Sequence, residues 1–142
     1  MHYLLDTDTT SYLIKKHSPY HQVVLNKLIS LSASTVGIST ITVSELASGL
    51  QQIPHHNLVY KKRLNDAFQH FITSIHVIDF NYTAALIYGD IRAELKTNGN
   101  DIGAMDCLIA AHALSEKRIL VTNNTKHFSR IKGIQLENWA DI

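Results

Sequence analysis

Cysteine is almost absent from this chain. Cys107 stands alone among 142 residues, which excludes an internal disulfide framework and any multi-cysteine zinc site. Proline occurs twice and glycine six times, beside a hydrophobic fraction of 45%, and that composition excludes a disordered tail or low-complexity segment. Neither sign of charge dominates: 13 Lys+Arg stand against 12 Asp+Glu, for a formal net charge of +1. No strong overall basic field follows from such a balance, although a local basic rim would not show in the sum. No apolar run reaches the ~18 residues of a membrane helix. The chain starts Met1-His2-Tyr3-Leu4-Leu5-Asp6, without a cationic leader or small-residue cleavage site, so the expectation is a soluble cytoplasmic protein.

What is present is the patterning of one ordinary domain, residues 1–142. A chain of this size buries about 70% of its unfolded surface and needs no disulfide or structural metal. Short apolar runs predict strands at 3–5, 36–39, 75–78 and 118–122, with 134–136 as a last edge strand. The second of these is weakened by Gly37. Helical spacing predicts helices from 8 or 9 to 16, over 20–31, over 42–51, from about Pro54 to 74, over 82–96 and over 104–117. Strands separated by helical crossovers imply βαβ units. The predicted fold is therefore α/β, an open, mostly parallel sheet of four to five strands with helices on both faces.

Open parallel sheets place their chemistry at the carboxyl ends of the strands. Asp6 and Asp8 follow the first predicted strand, Glu45 lies in the first turn after the second, Asp106 opens a helix, and Asn123-Asn124 follow the fourth strand. Carboxylates converging there would repel by ~4 kcal/mol per close pair at an effective dielectric of 20. They would keep protons or hold a hard divalent cation such as Mg²⁺ or Mn²⁺. A structural account covers the same acids one by one. Aspartate between strand and helix is a favoured N-cap, Thr42-Val43-Ser44-Glu45 fits a capping box, and Asp106 suits a helix dipole. Spacing alone leaves both accounts open.

Longer blocks decide more. Leu4-Leu5-Asp6-Thr7-Asp8 is followed by Ile38-Ser39-Thr40-Ile41-Thr42-Val43-Ser44-Glu45-Leu46-Ala47-Ser48-Gly49 and by Ile91-Arg92-Ala93-Glu94-Leu95. Then come Ile102-Gly103-Ala104-Met105-Asp106-Cys107-Leu108-Ile109-Ala110-Ala111-His112-Ala113, Leu120-Val121-Thr122-Asn123-Asn124-Thr125-Lys126-His127-Phe128 and Glu137-Asn138-Trp139. In this order the blocks resemble the PIN-domain endoribonucleases of the VapC toxin type over nearly the whole chain. The resemblance implies a single PIN-like domain and a toxin that cleaves RNA with Mg²⁺ or Mn²⁺. It also implies a homodimer and a VapB-like antitoxin that inserts a segment into a groove beside the acids. Asp6, Glu45 and Asp106 match the family's acidic positions as catalytic acids and metal ligands, with Asp8 and Asn124 supporting. Asn124 stands where many PIN domains carry a fourth acid. Related toxins often cut tRNA, including initiator tRNA.

On that reading Glu45 is a ligand or the base for the attacking water. Lys15-Lys16, Lys61-Lys62-Arg63, Arg92, Lys126 and Arg130 are candidate phosphate contacts, with Arg92 alternatively paired to Asp90 or Glu94. The helices around 20–31 and 57–71 could supply the apolar groove. Metal-free catalysis by His55-His56 or His112, and a zinc site from scattered histidines, are set aside. Two other readings stand beside the nuclease. One is a catalytically silent PIN-like module that binds RNA or a partner. The other is a haloacid-dehalogenase-like phosphatase, since Asp6-Thr7-Asp8-Thr9-Thr10 fits its Asp-x-Asp-x-Thr motif and Asp101 and Asp106 its late acidic pair. The polar stretch before Asp101 counts against the phosphatase.

Overall fold

Tyr3, Leu4 and Leu5 are all buried, as a strand must be when helices cover both faces of its sheet. In the computed structural model, which describes residues 1–141, this strand β1 (Tyr3–Leu5) is the centre of five. The others are β2 (Val36–Ser39), β3 (His76–Ile78), β4 (Ile119–Val121) and β5 (Leu136–Glu137), in the order β3-β2-β1-β4-β5, and every pairing is parallel. Ile142, the last residue of the expected domain, lies outside the described residues.

The helices are α1 (Thr7–Ile14), α2 (His21–Ile29), α3 (Thr40–Gln51), α4 (Leu58–Ser74), α5 (Tyr82–Thr97), α6 (Ala104–Ser115) and α7 (Thr125–Phe128). Alternation along the strands divides the core. Leu4 and Leu120 face α5 and α6, packing with Ile91, Leu95, Cys107, Ile109 and Ala110. Tyr3, Leu5, Val36, Ile38 and Val121 face the other way, onto Leu13 of α1, Val24 of α2 and Phe71 and Ile72 of α4. A smaller cluster of Ile14, Leu50 and Phe68 joins α1, α3 and α4. None of the helices among the described residues is long and apolar enough to cross a membrane.

Gly37 explains why β2 contains a glycine. A Cβ there would stand 2.8 Å from Ile78 Cδ1 and 3.1 Å from the His76 carbonyl oxygen. The side chain is absent because the neighbouring strand fills its space. Several predicted boundaries shift. α3 starts at Thr40 instead of 42 because the Ser39 hydroxyl accepts from the Ile41 N–H at 3.0 Å and caps the helix earlier. α4 starts at Leu58 because Pro54 first opens a single 3-10 turn, His55–Asn57. The edge strand is Leu136–Glu137 instead of 134–136, since Ile134 packs against the core and Leu136 pairs with Leu120. The one-turn α7 follows no predicted element.

Candidate active site

Because all five strands run the same way, the residues after β1, β2 and β4 emerge at one edge of the sheet: Asp6, Thr40 and Thr122. α6 runs back against β4, so its first turn, with Asp106, returns to that edge. His112 Nδ1, 2.8 Å from Ser39 Oγ, ties the last turn of α6 to the end of β2.

Asp6 is the most constrained acid. Its backbone N–H donates to Val121 at 3.0 Å, and its Oδ1 accepts from the Thr9 N–H at 2.8 Å, so it is the N-cap of α1. The structural account is therefore correct for Asp6, and it coexists with a chemical one. Burial pushes the carboxyl up to about 6, against the opposing pull of the Thr122 hydroxyl and the Thr9 N–H.

Glu45 lies in the second turn of α3, not the first, and is no capping-box residue because the cap is Ser39. Its Oε1 accepts from the Thr7 hydroxyl at 2.5 Å. Thr7 Oγ1 also lies 3.2 Å from Thr42 Oγ1, and with its one proton given to Glu45 it accepts from Thr42. Thr7 was not singled out in the sequence, although it lies inside the first motif between two acids.

Asp106 Oδ2 lies 2.9 Å from His127 Nε2, which is also 3.1 Å from the Ile102 carbonyl oxygen. Both partners accept, so Nε2 carries the proton and His127 donates to both. His127 is the second residue the sequence did not single out. Its motif block was visible, but the turn of α7 that aims the ring was not.

Asp8 is exposed in the first turn of α1. Asn124 is exposed at the start of α7, its N–H donating to Thr122 Oγ1 at 3.0 Å. The neighbouring Asn123 instead bonds Tyr12 and Asn138. Among the described residues, no three His, Cys, Asp or Glu side chains are gathered into a group that could hold a metal ion. The backbone brings Asp6, Glu45 and Asp106 to one edge, while Glu45 and Asp106 turn toward Thr7 and His127.

Arg92 pairs with Asp101, not with Asp90 or Glu94, because the chain after α5 folds back and carries Asp101 to it. Asp101 lies in the loop between α5 and α6 with no strand before it, which removes the phosphatase reading. Lys126 and Arg130 are exposed and form no ion pair among the described residues. His112 is fully buried, and burial holds its ring below the usual histidine range. His55 and His56 are exposed. His17 and His21 do stand four residues apart, but across the break between α1 and α2, with His21 Nδ1 held 2.9 Å from the Tyr12 carbonyl and His17 beside Tyr60. Next to Glu45, an apolar cleft of about 170 Å³ lies between α1, α3 and α4, lined by Ile14, Leu46, Leu50 and Phe68 with Lys15 at its rim. Of the two helices expected to line a groove, α4 borders this cleft and α2 does not.

The PIN domain family model matches residues 3–134. The chain belongs to the PIN-domain family. Within it the similarity is to VapC ribonucleases. Ribonuclease VapC2 of Rickettsia felis is 38% identical over 140 residues, 98% of each chain. The tRNA(fMet)-specific endonuclease VapC of Salmonella typhimurium is 36% identical over 140 residues, 97% of this chain and 98% of the relative. The crystal structure of VapBC2 from Rickettsia felis, bound to a DNA fragment from their promoter, matches at TM-score 0.82 and 35% identity, covering 98% of this chain and 99% of that one. The expected α/β PIN fold is the observed one, with a sheet that is parallel throughout.

Proposed function

We propose that this PIN-domain protein is the toxin of a toxin–antitoxin pair and an endoribonuclease that cuts RNA at the carboxyl edge of its sheet. The observation that carries the reading is the delivery of Asp6, Glu45 and Asp106 to that edge, in a chain similar along its length to VapC ribonucleases. The substrate proposed is tRNA, with initiator tRNA first among candidates, because one relative is a tRNA(fMet)-specific endonuclease.

The three acids fit a hard divalent cation by chemistry: all donors are carboxylate oxygens, and among the described residues no cation pairs with the buried Asp6. Asp6, Asp106 and Glu45 would hold Mg²⁺ or Mn²⁺, with Asp8 and Asn124 supporting. When bound, such an ion supplies charge neutralisation at the scissile phosphate and lowers the pKa of water. Asp6 and Asp106 are oriented by the Thr9 N–H and by His127. As the alternative to that ligand role, Glu45, oriented by Thr7, would receive the proton from the attacking water. Lys126 and Arg130, exposed around α7 beside Asn124, are the phosphate contacts proposed.

A VapB-like antitoxin is the partner proposed, with an apolar segment entering the cleft between α1, α3 and α4 and so covering Glu45. The assembly proposed is a homodimer in the cytoplasm. Purified protein freed of antitoxin should make discrete cuts in total RNA that require Mg²⁺ and vanish with EDTA and in Asp6→Asn. Full activity of that variant at saturating Mg²⁺ would overturn the assignment. One observation favours a second reading, a silent binding module: among the described residues the acids are not gathered into a metal group. Titration with Mn²⁺ separates the two, since a functional site raises the melting temperature as it fills.

A further inference from the structure

We propose that Arg92 and Asp101 are positioning residues for Asp106, and that Arg92 serves the reaction in this way instead of as a contact to RNA phosphate. The proposal rests on the nuclease reading. Arg92 projects from α5 toward the loop that enters α6, where its Nη1 donates to Asp101 Oδ1 and lies 4.0 Å from Cys107 Sγ. The same Asp101 oxygen accepts from the Gly103 N–H at 2.8 Å. Gly103 is the residue on which α6 starts, at φ +93°, a conformation that favours glycine.

A glycine has no side chain with which to cap a helix, so the start of α6 is fixed from one step upstream by the Asp101 carboxylate. The Gly103 carbonyl then accepts from the Cys107 N–H at 3.2 Å, the first bond of the helix, and Asp106 lies within the turn which that bond closes. The opposite side of the loop is held by His127, whose Nε2 donates to the Ile102 carbonyl and to Asp106 itself. Asp106 thus sits between two ties, Arg92–Asp101–Gly103 on the α5 side and His127 on the α7 side.

Charge points the same way. The Arg92 guanidinium is already paired with a carboxylate, so the pair presents no net positive charge to a phosphate, whereas Lys126 and Arg130 carry no such partner among the described residues. An ion pair this exposed adds little stability, with Arg92 at 21% and Asp101 at 49% side-chain exposure. Its value lies in placement, because a small displacement of a reacting group far outweighs a small change in folding free energy.

The experiment compares full-chain wild type, Arg92→Gln, Asp101→Asn, Arg92→Lys and Lys126→Ala on the RNA that the wild type cuts, over a KCl series. Amide hydrogen exchange of residues 103–107 and melting temperature are read in parallel. Arg92→Gln and Asp101→Asn should each lower kcat about 10-fold with KM and the salt slope unchanged, and the double variant should be no worse than either. Arg92→Lys should recover part of the loss, and Lys126→Ala should raise KM and flatten the salt slope. Exchange at 103–107 should quicken in the Gln and Asn variants while the melting temperature holds. The proposal is overturned if Arg92→Gln raises KM with kcat intact while Asp101→Asn is neutral or binds RNA more tightly. If the wild type itself cuts no RNA, the nuclease reading fails, and unchanged exchange in both variants would then remove the positioning role as well.

Discussion

A buried carboxylate without a cation is costly, and Asp6 is one. Its folded pKa of about 6 exceeds the ordinary 3.8, so it binds more protons folded than unfolded between those values. Its favourable contribution is complete below 3.8 and is lost as pH rises through 6. At neutral pH the metal-free protein therefore carries a penalty on the order of 3 kcal/mol. Asp6→Asn keeps an oxygen for the Thr9 N–H and removes the charge, so the inactive variant should be the more stable one. In EDTA at pH 7.5 its melting temperature should rise by about 6–12 °C, with the gap closing toward pH 4. An equal gap at both pH values would show that burial of charge is not the cause. Thr7 makes a different prediction. Thr7→Val keeps the shape but removes the hydroxyl that orients Glu45, so kcat should fall about 10-fold while stability changes by about 1 kcal/mol. A kcat equal to wild type would leave Thr7 with no part in placing Glu45.

At the scale of the element, β2 and α6 are fitted to each other and to β3. Gly37→Val would press a branched side chain onto the His76 carbonyl and Ile78, and should destabilise the fold by about 1–3 kcal/mol, read as a lower urea midpoint with unchanged slope. No loss of stability would mean that β3, an edge strand, moves aside freely. The Ser39–His112 bond joins the end of β2 to α6, and His112 Nε2 has no hydrogen-bond partner among the described residues. The ring's folded pKa lies below the ordinary 6.5, so this group's contribution is present above 6.5 and is lost as pH falls below it. NMR should find the His112 ring titrating with a midpoint below that of an exposed histidine in the folded protein. A midpoint above 6.5 would contradict the burial argument.

Across the whole molecule the two groups oppose each other. Acidification below 6.5 loses the contribution of His112, while the penalty at Asp6 fades as pH falls below 6. The stability of the metal-free protein should therefore vary less between pH 6.5 and 5 than the His112 contribution alone would make it. Removing the Asp6 part with Asp6→Asn should uncover a steeper loss on the acid side, measurable by urea unfolding at each pH. On the proposed reading, a cation bound at Asp6 would offset what burial costs, so metal binding would support folding.

The sequence by itself determined the alternation of strands and helices, and hence a parallel sheet with Asp6 at its carboxyl edge. Both follow from local hydrophobic period and from the length of the crossovers. The motif blocks carrying Asp6, Glu45 and Asp106 were legible for the same reason, each lying beside a strand or at the start of a helix. Contacts across the sequence were not legible. That Thr7 meets Glu45, that Arg92 meets Asp101, and that His127 meets Asp106 depends on how α1, α3, α5, α6 and α7 stack around the sheet. Capping chemistry is also ambiguous in one dimension. Ser39, Thr42 and Asp6 are all competent caps by residue type, and only the packed sheet edge decided that Ser39 caps α3 and that Asp6 caps α1.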